Sequence, residues 1–161
     1  MKVGVISDTH DNRGKLSKAV EIFNSEGVDL VIHAGDFVAP FTSKDLSNLK
    51  ASRFVAVFGN NDGEKIGLKT ALSKIGSISQ GPYELTYQGK RFVVMHEPSC
   101  IEALASSGKY DVIIYGHTHQ VDVRKGETLI VNPGECGGWL YGKSTIAVID
   151  LESMDVGVIS L

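Results

Sequence analysis

Apolar runs that break off abruptly into polar residues recur along this chain, and they constrain its fold more than any other feature. "KVGVIS" (2–7), "DLVIHAG" (29–35) and "RFVAVFG" (53–59) read as buried strands, each too short for a helix and bounded by turn residues. Helical patterns lie between them. "NRGKLSKAVEIFNSEG" (12–27) sets Leu16, Val20 and Phe23 on one face and stops at Gly27. A short helix is expected over roughly 42–49, and "EKIGLKTALSKIG" (64–76) carries Leu68, Leu72 and Ile75 at helical spacing. Then the texture changes. "YELTYQGKRFVVMH" (83–96) reads as two strands around a Gly89 turn, "SCIEALASSG" (99–108) as a helix and "YDVIIYG" (110–116) as a strand. "VDVRKGETLIVN" and "STIAVIDLESMDVGVISL" read as two further hairpins. Strand–helix alternation followed by hairpins implies an α/β (α+β) fold of two sheets packed face to face with helices outside, a four-layered sandwich. Without a linker, repeat or low-complexity segment, residues 1–161 are expected to form one domain.

The apolar runs end in unusual company. Asp8 and His10 follow the first, Asp36 the second, and Asn60, Asn61 and Asp62 the third. His96 follows "RFVVM", and His117 and His119 follow "DVIIY". Ligands of open α/β sheets gather at the carboxyl ends of the strands, so five strand ends can deliver these groups to one place. Any single Asp after a strand is ordinarily a turn or cap residue. Asp11 and Asn12, just before the first helix, are assigned to capping, and His33, inside its strand, to a hydrogen-bonded core histidine. Coincidence is harder to sustain for the set, because four of the five histidines follow apolar strands together with two aspartates and an asparagine. Imidazole with carboxylate suits Zn, Mn, Fe or Ni rather than Ca or Mg. Seven such ligands exceed one ion and suit two, four each if Asp36 bridges, as in two-metal hydrolytic sites with ions ~3.5–4 Å apart. Two M²⁺, two carboxylates and one hydroxide sum to +1, a match for a phosphodiester anion.

"DTH", "GDF", "GNND", the isolated His96 and "GHTH" resemble the five signature blocks of the calcineurin-like metallophosphoesterases, most closely the small single-domain archaeal and bacterial phosphodiesterases. The resemblance runs the length of the chain, through "VNPGE", and implies a β-sandwich of two mixed sheets flanked by helices. It implies that Asp8, His10, Asp36 and His119 hold one metal and Asp36, Asn60, His96 and His117 the other, with Asp36 bridging. On an extended segment residues i and i+2 point the same way, which is expected to let His117 and His119 reach two neighbouring ions. The implied activity is hydrolysis of small phosphodiesters by attack of a metal-bound hydroxide on phosphorus, with Mn or Ni as the leading metals and Fe or Zn also compatible.

Two departures from the family pattern matter. Many members have a histidine after the ligand asparagine that protonates or stabilises the leaving oxygen. Here Asn61 stands there, the expected catalytic contact to phosphate but no acid near neutral pH. The block around His96 reads "MHEPS" where relatives often have "HGH", and it sets Glu97 beside the anion site. "GGWLYGKS" (137–144) fits a P-loop pattern but leads into a strand, so it reads as a glycine-rich loop whose exposed aromatics offer a contact for a homo-oligomer. The alternative to an enzyme is a non-catalytic scaffold on the same fold, as in the retromer subunit, whose metal site is damaged; the intact ligand set here favours the enzyme.

Composition excludes several classes. A net charge of −3 and a pI of 5.9 give no basic footprint for strong nucleic-acid binding. No 18-residue apolar stretch exists, and "MKVGVISDTH" reads as a strand rather than a signal peptide. Cys100 and Cys136 are too few for a disulfide framework. The expectation is a reduced, cytoplasmic protein without membrane contact.

Overall fold

The computed structural model describes residues 1–161. In chain order it contains β1 (Lys2–Ile6), α1 (Arg13–Glu26), β2 (Leu30–His33), α2 (Ser43–Leu46), β3 (Arg53–Val57), α3 (Lys65–Leu72) and β4 (Ser77–Ser79). There follow β5 (Tyr83–Tyr87), β6 (Lys90–Val94), α4 (Ile101–Ser106), β7 (Val112–Ile114), β8 (Val121–Arg124), β9 (Leu129–Pro133), β10 (Thr145–Asp150) and β11 (Asp155–Ser160). A 3₁₀ turn, Pro40–Thr42, leads into α2. One sheet has the order β11-β10-β1-β2-β3-β4, the other β5-β6-β7-β9-β8. Both are mixed: β1 to β4 are parallel with an antiparallel β10–β11 hairpin on one side, while β6, β7 and β9 are parallel with β5 and β8 antiparallel at the edges.

Alternation along each strand sorts side chains between layers. Val3, Val5, Leu30, Ile32, Val55 and Val57 face Phe92, Val94, Val112, Ile114 and Val131 across the sandwich interior. The intervening residues Ile6, Val31, Phe54 and Ala56 face outward and are covered by Leu16, Val20 and Phe23 of α1 and by Leu68 and Leu72 of α3. On the far side, Val93, Ile113 and Ile130 pack under Ile101 of α4. Strands buried on both faces need apolar residues at every position, which is why the central runs are continuous rather than alternating. The four layers read from the sequence are present.

Local expectations hold with small changes. Gly27 closes α1 in the left-handed conformation, its amide donating to the carbonyls of Asn24 and Phe23. Asn12 caps α1 by accepting from Lys15 N, but Asp11 does not cap: its Oδ1 accepts from Ala39 N across the loop. The edge strand β4 went unread, because "SIS" is too short and too mixed to give a periodic signal. The 137–144 segment runs straight into β10 with no helix after it, so the P-loop pattern is a coincidence of sequence. Cys136 is buried, as expected of a small core residue, and no helix is long and apolar enough to cross a membrane.

The layer assignment has a measurable consequence. Phe92 is fully buried between the sheets, whereas Val158 on β11 is 41% exposed. Phe92→Ala should cost ~3–5 kcal/mol in denaturant unfolding, and Val158→Ala should stay within about 0.5 kcal/mol. Comparable losses from both would mean that the sandwich interior is not the main core.

Candidate metal centre

At the carboxyl ends of β1, β2, β3, β6 and β7 the backbone leaves the sheets, and all seven residues named from the sequence as ligands meet there. Asp8 is fully buried, and its Oδ2 accepts from Ser7 Oγ at 2.6 Å and from His117 N at 3.1 Å. Its Oδ1 has no hydrogen-bond partner. That oxygen lies 3.4 Å from His119 Nε2 and 3.8 Å from His10 Nε2, which is also buried without a partner. These donor atoms of Asp8, His10 and His119 lie within 4.8 Å of one another, as do those of Asp8, Asp36 and His96.

A second cluster adjoins the first. His96 Nδ1 lies 2.8 Å from the Ala34 carbonyl, which can only accept, so that nitrogen carries the proton and Nε2 presents its lone pair inward. Nε2 stands 2.9 Å from Asn60 Oδ1 and 3.3 Å from Asp36 Oδ2. His117 Nδ1 lies 3.0 Å from the same Asn60 oxygen. Asp36 Oδ2 is also 3.5 Å from His10 Nε2, so this one atom faces both clusters. A lone pair and several oxygens aimed at a common point, with partnerless donors beside them, are the arrangement that a cation resolves and that hydrogen bonds among these groups do not. The residues fit divalent metal ions.

Electrostatics agree with that fit. Burial pushes the Asp36 carboxyl up, but the adjacent His96 imidazole and the hydrogen bonds from Asn61 outweigh it and hold the group well below the usual carboxylate range. The nearby Asp8 carboxylate raises His10, and burial pushes His96 down but Asp36 outweighs it and raises the group.

The backbone here is not extended. Asp8, His10, Asp36, His117 and His119 have φ of 52, 40, 61, 68 and 58°, all left-handed. Sharing a face of one extended strand therefore does not explain how His117 and His119 serve neighbouring clusters. β7 ends at Ile114, and the bend after it is held by Asn132, whose Nδ2 donates to the Gly116 carbonyl and to Thr118 Oγ1. Left-handed residues cost of order 1–3 kcal/mol each and gather at sites where the surroundings impose them. Glycines in the motifs allow close approach: a Cβ on Gly59 would stand 2.0 Å from Asp36 Oδ1, and one on Gly116 2.0 Å from Ser7 Oγ.

His33 is the core histidine expected. It is fully buried, accepts from Gly35 N at Nδ1, pairs with Thr9 Oγ1 at Nε2 and stacks on Phe37. Asn61 donates to Asp36 through both its amide N and Nδ2, each at 2.8 Å. Two residues outside the seven bear on the site: Asp62, which the sequence offers only as a strand-end residue and a substitute proton donor, and Glu135, to which it assigns no role. The buried carboxylate of Asp62 accepts from the amides of Asp36, Phe37, Val38 and Gly59 at 2.7–3.1 Å, fixing the turn that carries Asp36. Glu135, also buried, lies 3.2 Å from His119 Nδ1. The centre therefore holds four buried carboxylates rather than the two counted from sequence. "GNND" and "VNPGE" contained both residues, but a carboxylate whose partners lie far along the chain looks locally like a turn residue.

Known proteins resemble this chain in sequence and fold. The calcineurin-like phosphoesterase superfamily domain matches residues 1–154. A phosphodiesterase of Methanocaldococcus jannaschii is 43% identical over 160 residues, 96% of each chain. The solved structure of an archaeal phosphodiesterase superposes with a TM-score of 0.94 at 42% identity, over 100% of both chains. Vacuolar Protein Sorting 29 from Cryptosporidium parvum has the same fold at 17% identity and a TM-score of 0.67, over 99% of this chain and 96% of its own. With the signature blocks at five strand ends and the family's domain spanning all but the last residues, the chain belongs to the calcineurin-like phosphoesterase superfamily.

Proposed function

We propose that this protein is a phosphodiesterase that works with two divalent transition-metal ions on small phosphodiester substrates. The observation that carries the reading is Asp36 Oδ2, which stands between two donor clusters, 3.5 Å from His10 Nε2 and 3.3 Å from His96 Nε2. In this reading Asp8, His10, Asp36 and His119 hold one ion, Asp36, Asn60, His96 and His117 the other, and Asp36 bridges. Mixed imidazole and carboxylate donors suit Mn²⁺ or Ni²⁺, with Fe²⁺ and Zn²⁺ also accommodated. Such a pair, when bound, supplies Lewis acidity toward phosphoryl oxygens and toward water. The high identity to the M. jannaschii phosphodiesterase supports the diester reading.

The chain's own residues set what remains. Asn61 is exposed beside the bridge and spends one N–H on Asp36, leaving the other to donate to a phosphate oxygen. It has no proton to transfer. Asp62 is no substitute acid, because its carboxylate is buried and accepts four backbone amides. A groove of about 350 Å³ opens beside Asn60 and His96, with Phe58 and Met95 in its floor and Lys65, Gln80 and Glu97 at its rim. This is room for an organic arm of the diester.

Chelation should abolish diester hydrolysis and Mn²⁺ or Ni²⁺ should restore it. Asp36→Ala should lose more metal by elemental analysis than His10→Ala, since a shared ligand serves both ions; equal, mild losses would place the bridge elsewhere.

Protons compete with metal here. In the metal-free protein His10 and His96 titrate above their ordinary value of 6.5, so metal affinity should climb as pH rises through and beyond that value. The same shifts stabilise the metal-free fold fully below the unfolded pKa and are lost as pH rises through the raised values. Thermal melts in chelator and with saturating Mn²⁺ should therefore diverge as pH increases; parallel profiles would remove these histidines from the metal site.

Without an acid the leaving oxygen departs as an anion, so its own pKa should control the rate. General acid catalysis contributes ~10²–10⁴-fold, and poor leaving groups should lack that help. Aryl diesters should be cleaved far faster than alkyl diesters, and Asn61→His should flatten a plot of log kcat/KM against leaving-group pKa. A flat line for the unaltered protein would point to Glu97 as a proton donor.

A further inference from the structure

The segment after β9 touches every residue of the first donor cluster. Cys136 N and Gly137 N donate to the carbonyls of Ser7 and Asp8 at 2.9 Å, and Asn12 Nδ2 donates to the Gly137 carbonyl at 2.8 Å. Trp139 Nε1 donates to the His10 carbonyl at 3.1 Å. Glu135 Oε1 and Oε2 accept from the amides of Trp139 and Leu140 at 2.7 and 3.1 Å, and Oε2 lies 3.2 Å from His119 Nδ1, a buried nitrogen with no hydrogen-bond partner. Glu135 is 1% exposed and pairs with no Lys or Arg, so its charge is balanced only by two backbone amides and the imidazole. The second cluster, Asn60, His96 and His117, makes none of these contacts.

Resting on the two-ion reading above, we propose that Glu135 is a positioning residue for His119, and that Glu135 and Trp139 make the exposed 137–142 loop a working part of one metal site only. A carboxylate 3.2 Å from Nδ1 favours the tautomer that carries its proton there, which leaves the lone pair on Nε2, the atom 3.4 Å from Asp8 Oδ1. Carboxylate and loop amides are one unit, because the oxygen facing His119 also holds Leu140 N. Trp139, though 67% exposed, is tied to the peptide that carries His10, so the chain's single tryptophan sits where it senses the filling of that site.

The test titrates the metal-free full-length protein with Zn²⁺, whose filled d shell does not quench fluorescence as a paramagnetic ion does. Calorimetry counts the ions and Trp139 emission is followed in parallel. Two binding events are expected, with emission responding to the one that His119→Ala abolishes. Glu135→Gln, which leaves one acceptor oxygen for three donors, should weaken that event by ~10–100-fold and leave the other within about twofold. Trp139→Phe keeps the ring, loses the N–H and should weaken the same event by a smaller factor, which keeps the test alive if Glu135→Gln folds poorly. No Zn²⁺ binding by the unaltered protein would refute the two-ion reading itself. Two events with emission blind to the His119 site, or variants that weaken both events equally or neither, would overturn the role of Glu135 and its loop.

Discussion

Four carboxylates, those of Asp8, Asp36, Asp62 and Glu135, are buried at one end of the sandwich without a lysine or arginine beside any of them. Burying an unpaired charge is so costly that the surroundings must be built to answer it. Asp62 is answered entirely by backbone, four amides drawn from the turns after β2 and β3. Glu135 is answered by two loop amides and an imidazole, Asp36 by Asn61 and two histidines. Asp8 has one oxygen satisfied and one with no partner. This gradient runs from carboxylates that finish the fold to carboxylates left open for chemistry.

The strained backbone follows from the same demand. To turn side chains inward at the point where strands end, the chain adopts left-handed φ at Asp8, His10, Asp36, His117 and His119, and even at Val38, a β-branched residue at 83°. Val38 N donates to Asp62, so the hydrogen bonds that neutralise the buried acid also hold the unfavourable turn. Rigid sheets on either side make such turns sustainable, since packed cores do not relax easily. Gly59 and Gly116 belong to this economy of space: the Asp36 carboxylate and the Ser7 hydroxyl that donates to Asp8 lie where a side chain would be.

The two halves of the site are supported differently. His96 is braced by the Ala34 carbonyl, deep in the core of the sandwich. His119 and His10 are braced by the segment 135–139, which ends in an exposed aromatic loop. One half is thus supported from within the sandwich and the other from a loop at its surface.

Much of this was written in the order of residue types. Strand identity, the helix ending at Gly27 and the four-layered architecture depend on local apolar patterning, which a sequence displays directly. The seven donors stood out because Asp, His and Asn directly after apolar runs are chemically conspicuous, and His33 was separable because it lay inside its run. What the chain could not display was partnership. Asp62 and Asp36 are joined across two turns, Glu135 and His119 across β8 and β9, and Asp11 reaches Ala39 rather than the helix beside it. The left-handed turns at the candidate ligands and the pairing of β4 were hidden for the same reason. Sequence determined which groups were available and at which strand ends; only the packing of the two sheets decided which oxygen faces which nitrogen, because hydrogen bonds and charge compensation depend on distances in space that residue order does not encode.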